Sequence, residues 1–202
     1  MKISIPEKSD IEQIVRVHID AFPNFFLTSL GAGFLKTYYR AYLDNTDALL
    51  ICAKENGSVI GFAATAVFSQ GFNKQLIMRN WSSFLLQGVK LMLIRPKALL
   101  HLLKNLEKTN NGKDEEVKDT ADYAELYSIA VASGVQGKGV GRALMLETES
   151  ELKRRSIAKL SLTTDSDNNH KTLAFYNSAG FNPLYEFVAY PNRRMVRMIK
   201  SL

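Results

Sequence analysis

The sequence has few of the residues that build disulfide frameworks or metal centres. Cys52 is the only cysteine among 202 residues, so no disulfide can form within the chain. It lies in the apolar run 48–53, which is typical of a buried small hydrophobe. The histidines His18, His101 and His170 are far apart and lack the spacing of metal ligands. We therefore expect no metal ion, and nothing indicates an oxidising compartment.

Long apolar runs are also missing. No stretch approaches the about 18 consecutive apolar residues of a membrane-spanning helix, and residues 1–5 lack the apolar core of a signal peptide. The composition, 46 % hydrophobic and 23 % charged, is that of a globular protein. We expect one domain over residues 1–202, located in the cytoplasm.

Acidic residues are scarce in one segment of this chain, whose net charge is +6. Residues 70–113 contain eight lysines or arginines and a single acidic residue, Glu107, so the segment carries +7 and the remainder −1. The basic character of the chain therefore belongs to this segment.

The basic segment also has the apolar periodicity of a helix. Trp81, Phe84 and Leu85 fall on one face of a helix predicted over 75–94, and basic residues fall on the other. Such a helix can pack on the domain, lie on an anionic membrane surface, or attract an anionic acceptor. We favour packing on the domain, with membrane contact as the lesser alternative.

The rest of the chain alternates between strand and helix patterns, and it contains no internal repeat. The dipeptide Asn56-Gly57 between two apolar runs indicates a β-hairpin. Strands are predicted over 2–5, 48–54, 59–68, 125–131 and 159–164, helices over 9–21, 28–43, 97–106, 142–155 and 169–179, a closing hairpin over 181–190 and 193–199, and a mobile polar stretch over 107–120.

A glycine-rich loop follows the strand predicted over 125–131. Glycines at 137, 139 and 141 allow backbone N–H groups at the start of the next helix to approach a phosphate. A Walker loop would need glycine at Ala132 and Ser or Thr at Gly139, and a dinucleotide fingerprint would need glycine at Arg142. Both motifs are therefore excluded.

Two motifs in order resemble those of the GNAT N-acetyltransferase superfamily. The first is Q-x-x-G-x-G at residues 136–141, immediately after a strand. The second, N-x-x-A-x-x-F-Y-x-x-x-G-F, is similar to residues 169–181, with Thr172 in place of the usual alanine. The resemblance covers about 150 residues. Its departure is the long connection over 70–121, a basic helical insert where this superfamily usually has a short loop.

The resemblance implies an α/β (α+β) fold and an acyltransferase activity. The expected sheet is central, mixed and mostly antiparallel, with about seven strands flanked by helices. Its fourth and fifth strands would splay apart, and acetyl-CoA would lie in the opening as the acyl donor, without a metal.

The resemblance also implies site residues. Tyr176 would be the general acid that reprotonates the CoA thiolate, although it could instead be only a core aromatic. Asn169 would contact the pantetheine arm, and its side chain could also cap the helix that follows. The cofactor-binding residues would be Ile129, Ala130, Val131, Gln136, Gly137, Lys138, Gly139, Val140, Gly141, Arg142, Asn169 and Tyr176.

The acceptor amine must lose a proton before it attacks. At pH 7 this costs about 4.6 kcal/mol for a lysine-like amine and about 1.4 kcal/mol for an α-amine. Glu125 is the candidate general base, directly or through water, with Asp165 as the lesser candidate. Alternatively, Glu125 is a solvated carboxylate at a strand end.

Three function classes follow. We favour acetylation of a primary amine on a small molecule, ahead of a protein acetyltransferase acting on N-terminal or lysine amines. The third is a non-catalytic module that binds CoA or an anionic partner; nucleic-acid binding is not expected. Walls of the acceptor pocket are predicted from residues 22–28, Tyr127 and the hairpin 185–193. The chain would be a monomer or a homodimer.

Overall fold

A computed structural model describes residues 1–94, 119–189 and 192–202. The helix predicted over 97–106 and most of the polar stretch predicted over 107–120 lie outside these residues. The division of the chain into a single domain with an insert stays a prediction.

A seven-stranded sheet forms the centre of the structure. The strand order is β1-β2-β3-β4-β5-β7-β6, and all neighbours are antiparallel except β4 and β5. The mixed, mostly antiparallel sheet predicted from the sequence is therefore confirmed. The strands are β1 Lys2–Ser4, β2 Ala48–Glu55, β3 Ser58–Ala66, β4 Ala124–Val131, β5 Lys159–Asp165, β6 Asn182–Ala189 and β7 Arg193–Ser201.

Helices cover both faces of the sheet. The described helices are α1 Ile11–Ala21, α2 Phe26–Ser29, α3 Ala32–Leu43, α4 Phe72–Arg79, α5 Trp81–Ile94, α6 Val140–Arg154 and α7 His170–Ser178. Side chains of α1 and α3 share one buried cluster with the sheet, including Leu35, Tyr39 and Phe62. Side chains of α6 and α7 share the second, including Leu144 and Tyr176. Among the described residues, no helix is long and apolar enough to cross a membrane.

The parallel strands β4 and β5 separate partway along their length. They pair only at Ala124–Leu126 with Leu160–Leu162, although β4 continues to Val131 and β5 to Asp165. Beyond Leu126, the edge of β4 on the β5 side is not paired with β5. A bulge lies at the same point, because Leu126 and Ser128 pair with consecutive residues of β3 and leave Tyr127 over. The predicted splay is confirmed.

Two single helices predicted from periodicity are each divided in the structure. Gly31, with φ of +86°, separates α2 from α3, so the helix predicted over 28–43 was wrong at its start. Asn80 separates α4 from α5, so the helix predicted over 75–94 is two helices. The Asn80 side chain donates a hydrogen bond to the carbonyl oxygen of Leu76 (3.0 Å), a local bond that competes with the regular helix.

The contact face of α5 is narrower than the sequence pattern predicts. Phe84 is buried against Phe34 of α3, with 5.5 Å between ring centroids. Trp81 and Leu85 are exposed, so the prediction that these three apolar residues pack together on the domain was wrong. Among the described residues, helix α5 meets the domain through the strip around Phe84, and the neighbouring strip with Trp81 and Leu85 is exposed.

Candidate active site

The start of α6 presents backbone amides that have no helical partner. The first hydrogen bond of this helix runs from the Ala143 amide to the Gly139 carbonyl (3.0 Å), and no side chain caps the helix. The amides of Val140, Gly141 and Arg142 precede that bond, so they remain available to an anion. The positive end of the helix dipole adds to this preference.

The loop before α6 keeps its shape through glycine and one side-chain bond. Gly137 and Gly139 have φ of +77° and +82°, a left-handed conformation that side chains disfavour. The Gln136 side chain donates to the carbonyl of Val131 (3.2 Å), which ties the loop to the end of β4. A Cβ atom at Gly141 would lie 3.6–3.7 Å from the side chains of Phe175 and Val131, so helix α6 packs closely against them at this residue. The loop is thus fixed beside the splay.

Two basic residues flank these amides. Lys138 and Arg142 are both exposed. Neither forms an ion pair with any carboxylate in the part of the chain that the structure describes. Uncommitted positive charge next to helical amides suits a pyrophosphate.

Tyr176 lies on α7, on the side of the sheet that carries α6. It is buried against Phe175 and Phe181, with ring centroids 5.3 and 5.9 Å away. Burial raises the pKa of Tyr176 to about 12, so the phenol holds its proton at neutral pH. Tyr176 therefore packs as a core aromatic residue, as the alternative interpretation predicts. This packing is compatible with a catalytic role of its hydroxyl group.

Asn169 connects the end of β5 to the start of α7. Its side-chain amide donates to the Thr164 hydroxyl oxygen (2.8 Å) and to the Asp165 carbonyl (3.0 Å). The side chain does not cap α7, so that alternative was wrong. The two acceptors on β5 explain why the cap is absent, because they hold the Asn169 side chain against the strand instead of the first turn of α7.

Glu125 is buried and ion-paired on the opposite face of the sheet from α6. Its Oε1 accepts from Arg197 Nη1 (3.1 Å), which also donates to the Ser161 hydroxyl oxygen (3.1 Å). Burial raises the pKa of Glu125 above its ordinary value, and the Arg197 charge and the Tyr127 hydroxyl oppose that rise. The alternative of a solvated carboxylate was wrong. Its position at the last residues of β4–β5 pairing puts it directly below the splay.

A second carboxylate shares the same arginine. Asp119 Oδ2 accepts hydrogen bonds from the hydroxyls of Tyr123 and Tyr185, each at 2.7 Å, and lies 3.6 Å from Arg197 Nε. Burial disfavours the charged form, but the two tyrosines and Arg197 outweigh it and lower the pKa of Asp119. The Arg197 guanidinium lies over both tyrosine rings, 5.3 and 5.9 Å from their centroids.

Sequence reasoning missed Asp119, Tyr123 and Arg197. Each is an ordinary residue in its local pattern, and they meet only because β4 and β7 flank β5 in the sheet. The one available signal was the position of Arg197 between the apolar Met195 and Ile199 on one face of its strand, since a charge among apolar neighbours needs a buried partner.

Asp165, the lesser candidate base, is held by another arginine. Arg193 donates to both of its carboxylate oxygens at 2.8 Å. The same guanidinium lies 4.9 Å from the centroid of the Phe25 ring. The contact between Arg193 and Phe25 therefore joins the closing hairpin to segment 22–28. Both were predicted as walls of the acceptor pocket.

The comparisons with known proteins agree with this geometry. The model of the Acetyltransferase (GNAT) family matches residues 12–181. The chain therefore belongs to the GNAT family of acetyltransferases. The family resemblance inferred from the sequence is confirmed.

Curated relatives match part of the chain. The [Ribosomal protein bS18]-alanine N-acetyltransferases of Escherichia coli (strain K12) and Shigella flexneri are each 38 % identical to this chain over 81 residues, which is 39 % of this chain and 54 % of theirs. The chain thus spans about half the length of the curated relatives it matches.

Solved structures share the fold over the whole chain. The ribosomal-protein-S18-alanine N-acetyltransferase of Escherichia coli aligns over 99 % of this chain and 92 % of its own, with a TM-score of 0.62 and 20 % identity. The PaiA N-acetyltransferase of Thermoplasma acidophilum, in complex with coenzyme A, aligns over 100 % and 98 %, with a TM-score of 0.62 and 14 % identity. The family uses acetyl-CoA, and no metal-binding cluster occurs among the described residues.

Proposed function

We propose that this protein transfers the acetyl group of acetyl-CoA to a primary amine by direct attack of the amine on the thioester. The observation that carries the proposal is the splay of β4 from β5 beside the free amides of α6. A strand edge without a partner suits an extended amide-containing arm, and the helix start suits its pyrophosphate.

In this proposal the cofactor residues named from the sequence keep their roles. The backbone of Ile129, Ala130 and Val131 holds the pantetheine arm and the thioester carbonyl. The amides from Gln136 to Arg142, through Gly137, Lys138, Gly139, Val140 and Gly141, bind the pyrophosphate, with the Lys138 and Arg142 side chains beside it. Asn169 contacts the arm where β5 ends, since its side chain already lies there.

Tyr176 is the general acid in this mechanism. Its phenol is protonated at neutral pH because burial raises its pKa to about 12. The phenol would give that proton to the CoA thiolate as it leaves, and a proton from solvent would then convert the phenolate back to the phenol. None of the described residues bonds to the Tyr176 hydroxyl, so it is free to face the sulfur.

Glu125 is the general base, directly or through water. Arg197 stabilises its charged form, which limits how strong a base it can be. An α-amine loses its proton at pH 7 for about 1.4 kcal/mol, against about 4.6 kcal/mol for a lysine amine, so a weak base favours an α-amine.

We therefore propose the N-terminal α-amine of a protein as the acceptor. The curated relatives named for acetylation of an alanine of ribosomal protein bS18 support this choice. The small-molecule acceptor favoured by the sequence, and a cytoplasmic location, stay predictions.

The test is acetyl transfer to matched peptides. One peptide begins with a free alanine and has no lysine; the second has the same sequence with an acetylated N-terminus and one internal lysine. We expect transfer to the first alone, and its loss in Tyr176→Phe. Transfer only to the lysine peptide, or only to small amines from a panel, would overturn the acceptor, and no transfer to any amine would overturn the activity.

A further inference from the structure

Helix α5 carries an apolar stripe that the fold does not use. Trp81, Leu85 and Val89 recur every four residues, and their side chains are 64 %, 58 % and 46 % exposed. Met78, near the end of α4, and Leu86 are exposed as well. Half of the large exposed hydrophobic residues of the described chain lie between 68 and 89. This clustering differs from the scattered apolar residues of an ordinary surface.

The domain cannot turn this stripe inward. Phe84 of α5 fixes the helix on α3 through its ring contact with Phe34. The neighbouring helix α4 is fixed too, because Arg79 donates to Asp47 and Asn45, both at 3.0 Å. Rotating α5 to bury Trp81 would expose Phe84, so the described part of the domain does not cover the stripe.

The charge of the surrounding sequence indicates the partner. No Asp or Glu occurs between residues 56 and 106. Arg79 is neutralised by Asp47, and the basic residues of that stretch besides it are Lys74, Lys90, Arg95, Lys97 and Lys104. Two copies of the chain joined through this surface would bring like charges together, whereas an anionic surface would attract them.

We infer that the stripe Trp81–Leu85–Val89 docks on the surface of an anionic phospholipid bilayer. Helix α5 would lie in the interface plane, with the stripe at the boundary of the acyl chains. Tryptophan suits that depth, because its ring is apolar and its N–H can reach polar headgroups. The inference is independent of the acetyl-transfer activity.

The fluorescence of Trp81 can report binding of the stripe to lipid, because Trp81 is the only tryptophan in the chain. Its fluorescence is recorded with phosphatidylcholine vesicles and with vesicles of equimolar phosphatidylcholine and phosphatidylglycerol, and the bound fraction is measured by co-sedimentation. We expect emission to move to shorter wavelength with the anionic vesicles alone, and to return when salt screens the charges.

A matched pair of variants tests the stripe. Leu85→Gln with Val89→Gln should reduce partitioning into anionic vesicles at least about tenfold, because two apolar side chains are lost from the contact. Leu146→Gln replaces a leucine of α6 with nearly equal exposure, 55 %, and should bind as the wild type does. Circular dichroism and acetyl-CoA titration of all variants verify the fold and the cofactor site separately.

Three results would overturn the inference. One is unchanged Trp81 emission with anionic vesicles. Another is short-wavelength emission before lipid is added, which would mean that Trp81 is already covered. The third is a wild-type dimer that the double variant abolishes, which would make the stripe a contact between two copies of the chain.

Discussion

Replacing Asp119 by Asn should move the pH dependence of acetyl transfer. Asp119 and Glu125 contact opposite ends of one guanidinium, so each carboxylate raises the pKa of the other. Two like charges on one guanidinium interact with about 2 kcal/mol at an effective dielectric constant of about 20. Because the asparagine carries no charge, we expect the pKa of Glu125 to fall in the variant.

The assay is kcat/KM against pH for wild type and Asp119→Asn with the alanine-starting peptide. If Glu125 is the base, activity is lost as Glu125 becomes protonated, so the acid limb of the profile should move to lower pH in the variant. Asp122→Asn is the matched control, since Asp122 is exposed and pairs with Lys159 (3.4 Å), away from Arg197. A variant with lower activity at every pH and an unmoved acid limb would refute the reasoning, because a purely structural role gives that result.

Three further predictions follow from the same contacts. Tyr176→Phe should lower kcat by about 10²–10⁴-fold while acetyl-CoA affinity measured by calorimetry stays within about threefold. Arg197→Leu should cost about 3–5 kcal/mol in urea unfolding, because it leaves Glu125 as an unpaired buried charge, and adding Glu125→Leu should recover much of it. Burial lowers the pKa of His18 to about 4, so stability should fall by about 3 kcal/mol as pH drops from 6.5 to 4; His18→Gln should flatten that dependence and the exposed His170→Gln should not.

The glycine loop and the helix that follows it could be predicted from the sequence, because a short local motif specifies them. The glycines at 137 and 139 adopt the positive φ that the loop pattern requires, and the helix begins at the next residue. Tyr176 and Asn169 lie in one short motif; the helix-cap alternative for the Asn169 side chain was wrong, and the catalytic and cofactor roles stay predictions. The partner of the Asn169 side chain, Thr164, is on the preceding strand, and nothing in the helix-cap pattern distinguishes it from the helix amides.

The acceptor side of the site could not be predicted from the sequence, because it forms between residues that are far apart in the chain. Arg197 meets Glu125 across 72 sequence positions, and Tyr185 meets Asp119 across 66. Strand order alone creates these pairs, and periodicity within a strand does not specify strand order. The exposure of Trp81 was missed for a related reason, since periodicity defines an apolar face without stating how much of it the neighbouring helix covers.

The most direct test of the central claim is calorimetric titration of acetyl-CoA into the wild type and loop variants. Gly139→Glu places a carboxylate at the amides of α6, Gly139→Ala adds the strain of a positive φ without the charge, and Gly134→Glu adds the charge where φ is unstrained and nothing crowds the side chain. The account predicts micromolar binding that Gly134→Glu retains, Gly139→Ala weakens and Gly139→Glu abolishes. Equal binding by Gly139→Glu and the wild type would contradict it.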